Sequence, residues 1–402
     1  MPIFTQFTPN IQTKEVLQSL FYLSPLGWPL LKRGPKSEQL QYELEDYFQK
    51  PVTLFDSGRS ALYAILHNRP QTKVLVQAYT CVVVINAILK AGHTPVYVDT
   101  DEGSLNMSLK DLEAKISKDT KILIVQHTYG NPDQIDEIQK LCKKHKIYLV
   151  EDLAHSLTAT YNSQKLGTFG DAAFVSFGTG KIISSSRGGA AINLKTTPPG
   201  YAPTTQILSH HLKHVLFAIS KPLYFLAHFG KIILFTARKL KLIPDIITPA
   251  EKNLKTDQIF VHSFPNSLAA IALTQWHKKT FFKHHRQHLA KIYDTHLSIP
   301  QVKTYPRHKD SACMMYPIQA HDADKLFTFL KRNHIIVDQF WSKAAIVPKD
   351  VDQKKTQYKP GTCKNAENQL HNELNLPLNI HVSPKQARKL CQLIQDFYDS
   401  PR

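Results

Sequence analysis

A lysine and an aspartate lie where they could do chemistry together, each just beyond a predicted strand. Asp152 follows the apolar run at residues 147–150, and Lys181 follows the apolar run at residues 172–177 in a segment of small residues. Such runs are typical of strands buried on both faces. Open α/β sheets bind ligands at the carboxyl ends of their strands. A lysine that is held there among small residues and faces an acid suits Schiff-base chemistry.

A glycine turn that opens a predicted helix forms a second candidate site. Residues 52–55 predict a short strand, which leads into the turn DSGRS at residues 56–60 and a helix to about residue 66. The first N–H groups of a helix lack partners within the helix and lie at the positive end of its dipole. Gly58, Arg59 and Ser60 are therefore candidates to bind a phosphate group. On this motif alone, an ordinary capped helix is the alternative.

These segments together resemble a family of known enzymes. The motifs are EDLAHS at residues 151–156, GDAAFVSF at residues 170–177, a lysine five positions after Ser176, and a Gly-Gly pair at residues 188–189. They resemble the DegT/DnrJ/EryC1/StrS aminotransferases, which are sugar aminotransferases of the fold type I class dependent on pyridoxal 5′-phosphate (PLP). The resemblance implies PLP as the cofactor.

The resemblance also implies a role for individual residues. Lys181 corresponds to the catalytic lysine that holds PLP as a Schiff base, and Asp152 to the catalytic aspartate that keeps the pyridine nitrogen protonated. Ser176 and the turn at Gly58, Arg59 and Ser60 correspond to the phosphate site. The family usually has Ser-Gly-Thr at this turn, so Arg59 is a departure.

The groups at the faces of the cofactor ring are implied in the same way. His155 stands where family members have Gln or His against the ring. Residues 77–99 resemble the segment in which an aromatic residue stacks on the ring, and Cys81 occupies that position here, with Tyr79 nearby. A buried small hydrophobe is the alternative for Cys81. Neither the histidines nor the cysteines have the spacing of metal ligands, so no metal site is predicted.

Strands and helices alternate from residue 52 to residue 194, which predicts an α/β fold. The sheet is expected to be mostly parallel with helices on both faces, as in fold type I enzymes, with a smaller α+β domain at the C-terminus. Prolines interrupt the N-terminal residues, which are expected to be irregular. The predicted parts are the irregular segment 1–36, the large PLP-binding domain 37–262 and the small domain 263–402.

Residues 205–247 form an insertion of apolar blocks separated by Lys221, Lys231 and Arg238. No uncharged run reaches the ~18–20 residues of a membrane span. The preferred prediction is a pair of core or dimer-interface helices. A basic surface that binds at the interface of a membrane is the alternative.

Composition limits the partners. The net charge is +18, but the basic residues are spread along the chain, so nucleic acid is not predicted. Phosphorylated small molecules or an anionic membrane surface account for the charge equally well. The five cysteines contain no CxxC pair, which indicates a reducing compartment. With no signal peptide recognised, we expect a cytoplasmic protein.

The predicted function is a PLP-dependent aminotransferase. The resemblance implies glutamate as the amino donor, a keto sugar on a nucleotide as the acceptor, surface polysaccharide or related sugar synthesis as the setting, and a homodimer. Sugar deoxygenation is disfavoured because family members with that activity carry histidine in place of Lys181. A non-catalytic or regulatory relative, possibly membrane-associated, is the alternative, supported by departures at Arg59, Cys81 and residues 261–263.

Overall fold

The computed structural model describes residues 3–4, 10–224, 226, 228–258, 260–338, 344–369 and 372–400. Within these ranges the strands are, in chain order, β1 (Ile3–Phe4), β2 (Val52–Phe55), β3 (Lys73–Gln77), β4 (Thr80–Cys81), β5 (Thr94–Val98), β6 (Thr120–Gln126), β7 (Tyr148–Asp152), β8 (Thr160–Tyr161), β9 (Gln164–Lys165), β10 (Ala172–Ser176), β11 (Gly189–Ile192), β12 (Val302–Thr304), β13 (Tyr316–Ala320), β14 (Ile335–Ile336), β15 (Ile346–Val347) and β16 (Glu373–Leu376).

The α-helices of the same ranges are α1 (Thr13–Leu23), α2 (Pro35–Phe48), α3 (Gly58–Leu66), α4 (Val82–Lys90), α5 (Leu109–Lys115), α6 (Ile135–His145), α7 (Thr204–Leu223), α8 (Phe229–Lys239), α9 (Pro249–Lys252), α10 (Asn266–Trp276), α11 (Lys279–His296), α12 (Ala323–Arg332), α13 (Lys364–Gln369) and α14 (Pro384–Asp399). Short 3₁₀ helices lie at Pro25–Leu30, Thr128–Gly130, Thr256–Gln258 and Gln353–Thr356.

The central sheet has the strand order β2-β11-β10-β7-β6-β3-β5. Its pairs from β10 to β5 are parallel, and β11 runs antiparallel to both of its neighbours. The sheet is thus mostly parallel, as predicted from the alternation of strands and helices, and the apolar runs that form its strands are buried. Parallel pairing brings the carboxyl ends of β6, β7 and β10 to one edge, where ligand sites of such sheets are found.

The N-terminal segment is not irregular throughout, and that prediction was wrong for residues 13–23. They form α1, which begins with a capping box between Gln12 and Glu15. The prolines of this region flank the helix rather than interrupt it. Helix α1 packs on α7 and α10, so tertiary contacts stabilise it as well as its cap.

The hydrophobic residues form two main cores. One surrounds the central sheet and includes α10 and part of residues 345–366; the other lies between the antiparallel sheet β12-β13-β16 and helices α11, α12 and α14. The change from one core to the other occurs within α11, between Phe282 and Leu289. The boundary between residues 262 and 263 remains a prediction, and α10 just beyond it packs on α2 of the large core.

The insertion forms two helices, α7 and α8, which pack against each other. Gly230 allows this contact, since a Cβ there would lie 2.2 Å from the carbonyl oxygen of Ser220. Apolar side chains of α8 are exposed in the single chain, so α8 is not a core helix, and its predicted alternative, a dimer-interface helix, stays a prediction. In the part of the chain that the structure describes, no helix combines the length and apolarity needed to span a bilayer.

A buried hydrogen-bond cluster joins the two cores. The hydroxyls of Tyr79 and Tyr129 donate to Glu373 Oε1 at 2.5 and 2.8 Å, and Asn375 Nδ2 donates to the same oxygen at 2.9 Å. Tyr79 and Tyr129 have left-handed backbones, with φ of +67° and +54°. Left-handed backbone costs about 1–2 kcal/mol in a residue with a side chain, and a hydrogen bond within a protein contributes about 0.5–1.5 kcal/mol against this cost.

This cluster predicts a pH dependence of stability. Burial raises the pKa of Glu373 from 4.5 to about 7, against the opposing hydrogen bonds from Tyr79, Tyr129 and Asn375. Between these two values the folded protein keeps a proton that the unfolded chain has released, so rising pH destabilises the fold by up to about 1.4 kcal/mol per pH unit. The variant Glu373→Gln has no carboxyl group at this position that could bind or release a proton. Urea unfolding at pH 5.5 and 7.5 should show wild type losing more stability than the variant.

The exposed Glu113 provides the control, because Glu113→Gln should follow wild type at both pH values. A difference in unfolding free energy between wild type and Glu373→Gln that does not change with pH would contradict the prediction.

Candidate active site

A cavity lies at the carboxyl edge of the central sheet, beside the start of α3. Its volume is about 1010 Å³, counting the space open to solvent. Most of the predicted site residues line it, namely Gly58, Arg59, Cys81, Asp152, His155, Ser176 and Lys181. Two neighbouring parallel strands, β7 and β10, contribute Asp152 and Ser176 at their last positions. The structure therefore gathers at one place residues that are more than 120 positions apart in the sequence.

Lys181 and Asp152 influence each other electrostatically. Burial lowers the pKa of Lys181, and the nearby Cys81 and Asp152 oppose that shift. Burial raises the pKa of Asp152 to about 6, against a hydrogen bond from the Ala154 N–H at 2.8 Å and the charge of Lys181. The cavity thus holds an amine that loses its proton more readily than usual beside a carboxylate that is charged above about pH 6.

The neighbouring Glu151 points away from the cavity. Its carboxylate accepts hydrogen bonds from the N–H groups of Gly167, Phe169 and Gly170 at 2.7–2.8 Å. Successive side chains of a strand lie on opposite faces. Of the two acids in the EDLAHS motif, Asp152 is therefore the one available to a ligand, and Glu151 holds a loop.

His155 is a neutral ring at the cavity wall. Its Nδ1 accepts a hydrogen bond from the Tyr129 N–H at 3.3 Å, and the two rings stack with centroids 5.7 Å apart. Burial, together with the charge of Lys181, lowers its pKa well below 6.5. His155 therefore presents an uncharged aromatic surface next to Lys181.

The turn before α3 packs closely on β10 and β11. A Cβ on Gly58 would lie 2.9 Å from Cβ of Ser176, and one on Gly189 would lie 2.4 Å from the Gly58 nitrogen. Glycine is required at both positions for this approach. Ser57, Ser176 and the first residues of α3 thus lie close together in the cavity wall.

Ser60 does not line the cavity, contrary to its prediction as a ligand of phosphate. Its hydroxyl donates to Asp56 Oδ1 at 2.6 Å, because the third helical residue faces back toward the turn. Ser57, the N-cap residue of α3, lines the cavity instead and accepts a hydrogen bond from the Ser60 N–H at 3.3 Å. The serine that the turn brings to the cavity therefore precedes Gly58, and its hydroxyl also lies within hydrogen-bond distance of Asp56 Oδ1 and Ser60 Oγ.

Two arginines line the cavity, and both are held by acids. Arg59 forms an ion pair with Glu251 and donates to the Ile246 carbonyl at 3.1 Å. Arg187 donates to Asp56 Oδ2 at 3.0 and 2.7 Å. Burial alone would raise the pKa of Asp56, but Arg187 and the hydrogen bonds from His262 and Ser60 lower it below its usual range.

Cys81 takes the position in the cavity wall that the resemblance implied, whereas Tyr79 does not line the cavity. The left-handed backbone of Tyr79 turns its ring toward Glu373 and the second core. Val83 and Val84 of α4 complete the wall beside Cys81.

The sequence motifs did not reveal every residue of the cavity. The insertion contributes His210 from α7 and residues 245–247 from just after α8. His210 Nδ1 lies 2.9 Å from the hydroxyl of Ser186, another lining residue. No local pattern marks these positions, because only the folding of the insertion back onto the sheet brings them to the cavity. Gln126 at the end of β6 could have been found, since it follows an apolar run as Asp152 does.

Comparisons with known proteins agree with this geometry. The model of the DegT/DnrJ/EryC1/StrS aminotransferase family matches residues 12–209 and 261–395. GDP-perosamine synthase of Vibrio cholerae is 32% identical over 171 residues, which cover 42% of this chain and 46% of that protein. Spore coat polysaccharide biosynthesis protein SpsC of Bacillus subtilis is 29% identical over 212 residues, or 52% of this chain and 53% of that protein. The matches thus span about half the length of these two relatives.

Solved structures extend the likeness over nearly the whole chain. The PLP form of the putative sugar aminotransferase Spr1654 from Streptococcus pneumoniae has a TM-score of 0.72 at 20% identity, covering 96% of each chain. This likeness confirms the predicted fold, a mostly parallel α/β sheet of the fold type I class. Because the family model matches most of the chain, the chain belongs to the DegT/DnrJ/EryC1/StrS aminotransferase family.

Proposed function

We propose that the protein is a PLP-dependent aminotransferase that moves an amino group from glutamate to a nucleotide-linked keto sugar. The observation that carries the proposal is the meeting of Lys181 and Asp152 in one buried cavity whose wall also offers donors for phosphate. Membership of the family supports the reaction class. The names of the relatives, a GDP-perosamine synthase and a spore coat polysaccharide protein, support a sugar acceptor.

The residues of the cavity fit PLP. Its phosphate would bind at the first turn of α3 beside the Ser57 and Ser176 hydroxyls, since N–H groups and hydroxyls at the start of a helix favour an anion. Asp152 would pair with the pyridine nitrogen, and Lys181 would bind the aldehyde carbon.

When bound, PLP supplies an electron sink for the carbon that exchanges the amino group. Lys181 would act as the base and acid that moves a proton at this carbon, because its lowered pKa makes the amine release its proton more readily than an ordinary lysine does. Asp152, charged above about pH 6, would hold a proton on the pyridine nitrogen. The neutral ring of His155 would exclude water from one face of the site.

Two alternatives find less support. Sugar deoxygenation in this family uses a histidine where this chain has Lys181. A non-catalytic relative would have no need of a desolvated lysine beside a buried acid, and both are present. The five free cysteines support a reducing compartment, and we propose the cytoplasm.

We expect Lys181 to be the lysine that binds PLP covalently. Borohydride reduction of the PLP-loaded protein, followed by peptide mapping, should place the label on Lys181. Lys213 provides a matched control: it is the next lysine along the chain after Lys195, its Nζ donates to Thr179 at 3.0 Å, and burial lowers its pKa to about 8. Lys213→Ala should leave the label on Lys181, whereas Lys181→Ala should abolish it. Label on Lys213 in wild type would refute the assignment.

We expect Asp152→Asn to bind PLP more weakly and to react with glutamate roughly 10²-fold more slowly or worse, because the charge opposite the pyridine nitrogen is lost. The change in absorbance of the bound cofactor after glutamate is added measures this rate without any knowledge of the sugar. A near wild-type rate in the variant would exclude the role.

We also propose a homodimer, on the basis of the fold type I architecture alone. Analytical ultracentrifugation of the PLP-loaded protein without detergent should show a species of twice the chain mass at micromolar concentration. A monomer over the whole accessible concentration range would contradict this proposal.

A further inference from the structure

The hairpin of α7 and α8, residues 204–244, has an apolar outer surface. Phe229, Ile232 and Phe235 lie three residues apart on α8 and are 57%, 56% and 68% exposed, while Gly230 and Ala237 of the same helix are buried. We call the exposed apolar set the hairpin face; it comprises Ile219, Leu226, Phe229, Ile232, Phe235, Leu240 and Leu242. A helix on the surface of a globular protein normally points such residues inward. The hairpin therefore presents to solvent the side that a water-facing helix would hide.

A second exposed apolar set lies on the helix that packs against α7. Helix α1 and the short helix after it expose Leu17, Leu20, Phe21, Leu26, Trp28 and Leu30. Elsewhere in the described ranges, the exposed large apolar residues are Tyr42, Phe260 and Phe281. The apolar surface is therefore concentrated on one group of helices rather than scattered, which marks an interaction site.

The charged residues of the hairpin itself are all basic. No aspartate or glutamate occurs between Asp171 and Asp245 in the sequence. The hairpin carries Lys213, Lys221, Lys231, Arg238, Lys239 and Lys241. Arg238 pairs with Asp245, while Lys239 and Lys241 are exposed beside the apolar stripe.

A second copy of the chain is a poor partner for this surface. A two-fold interface places the same patch on both sides. Two hairpins packed on each other would bring together several basic residues from each copy, with no aspartate or glutamate in residues 204–244 to neutralise them. An anionic bilayer has the complementary properties, since its headgroups neutralise lysines and its acyl boundary accepts Phe, Ile and Leu. We propose that the hairpin face binds the surface of an anionic lipid bilayer.

This surface departs from the family's sequence pattern and is joined to the cavity. The family model leaves residues 210–260 unmatched, and this segment contains α8 and most of α7. His210 on α7 and residues 245–247 after α8 line the cavity, so both ends of the hairpin contact the site. Lipid binding through α8 would hold the cavity next to the bilayer. The proposal does not depend on the reaction proposed above, because it rests on the outer face alone.

Vesicle flotation of the full PLP-loaded protein tests the proposal. Wild type should float with vesicles of phosphatidylcholine and phosphatidylglycerol at low salt, should be released by high salt, and should not float with phosphatidylcholine alone. The variant Phe229→Ser/Ile232→Ser/Phe235→Ser should no longer float. The variant Lys239→Glu/Lys241→Glu should partition at least roughly 30-fold more weakly, since each basic residue near an anionic surface contributes about fivefold.

Exposed residues of α11 provide the matched control. Phe281 is 55% exposed and Lys291 is exposed, so Phe281→Ser/Lys291→Glu changes the same residue types on another helix and should float like wild type. Circular dichroism and the glutamate reaction verify that each variant is folded. If the triple serine variant does not fold, the Lys239→Glu/Lys241→Glu variant alone provides the test.

Two results would overturn the proposal. One is equal recovery of wild type and the lysine variant with anionic vesicles. The other is a dimer of wild type that the triple serine variant converts to a monomer, with no flotation of either, because a second copy would then cover the hairpin face.

Discussion

Two groups of opposite charge in one cavity are the constraint on which the rest of the site depends. Burial disfavours the charged form of both Lys181 and Asp152, and each charge partly offsets this effect on the other. The arrangement requires that strands β7 and β10 end at the same edge, since Asp152 closes one and Lys181 follows the other. The parallel pairing of these strands is thus a requirement of the chemistry as well as of the fold.

The packing around this edge keeps the two charges in place. Glu151 is bound to the loop at residues 167–170, which fixes the strand face on which Asp152 emerges. Asn10 donates to the carbonyl groups of Lys181 and Ile182 at 3.1 and 2.8 Å. Gln275 of α10 binds Ser184 through both its donor and its acceptor. The loop that carries Lys181 is therefore held by residues from distant parts of the chain.

Local sequence was sufficient to predict the elements and residues that a run or a motif of neighbouring residues specifies. The apolar runs predicted the strands, and the motifs around Asp152, Ser176 and Lys181 predicted most of the cavity. Ser60 was assigned to the ligand because a motif does not show which way a helical hydroxyl turns. Helix α1 was missed because prolines near it masked an amphipathic pattern that tertiary contacts stabilise. His210 and residues 245–247 could not be predicted, since only long-range packing brings the insertion to the cavity.

The buried cluster of Tyr79, Tyr129 and Glu373 has a consequence for the order in which the chain folds during synthesis. Domains generally fold from the N-terminus as the ribosome releases them. Glu373 follows Tyr79 by 294 residues, so the acceptor of both hydroxyls is made after the whole central sheet. Until then the two tyrosines lack the carboxylate that offsets their left-handed backbones. The two tyrosine hydroxyls of the nascent large core therefore lack their Glu373 acceptor until the last strand, β16, has been synthesised.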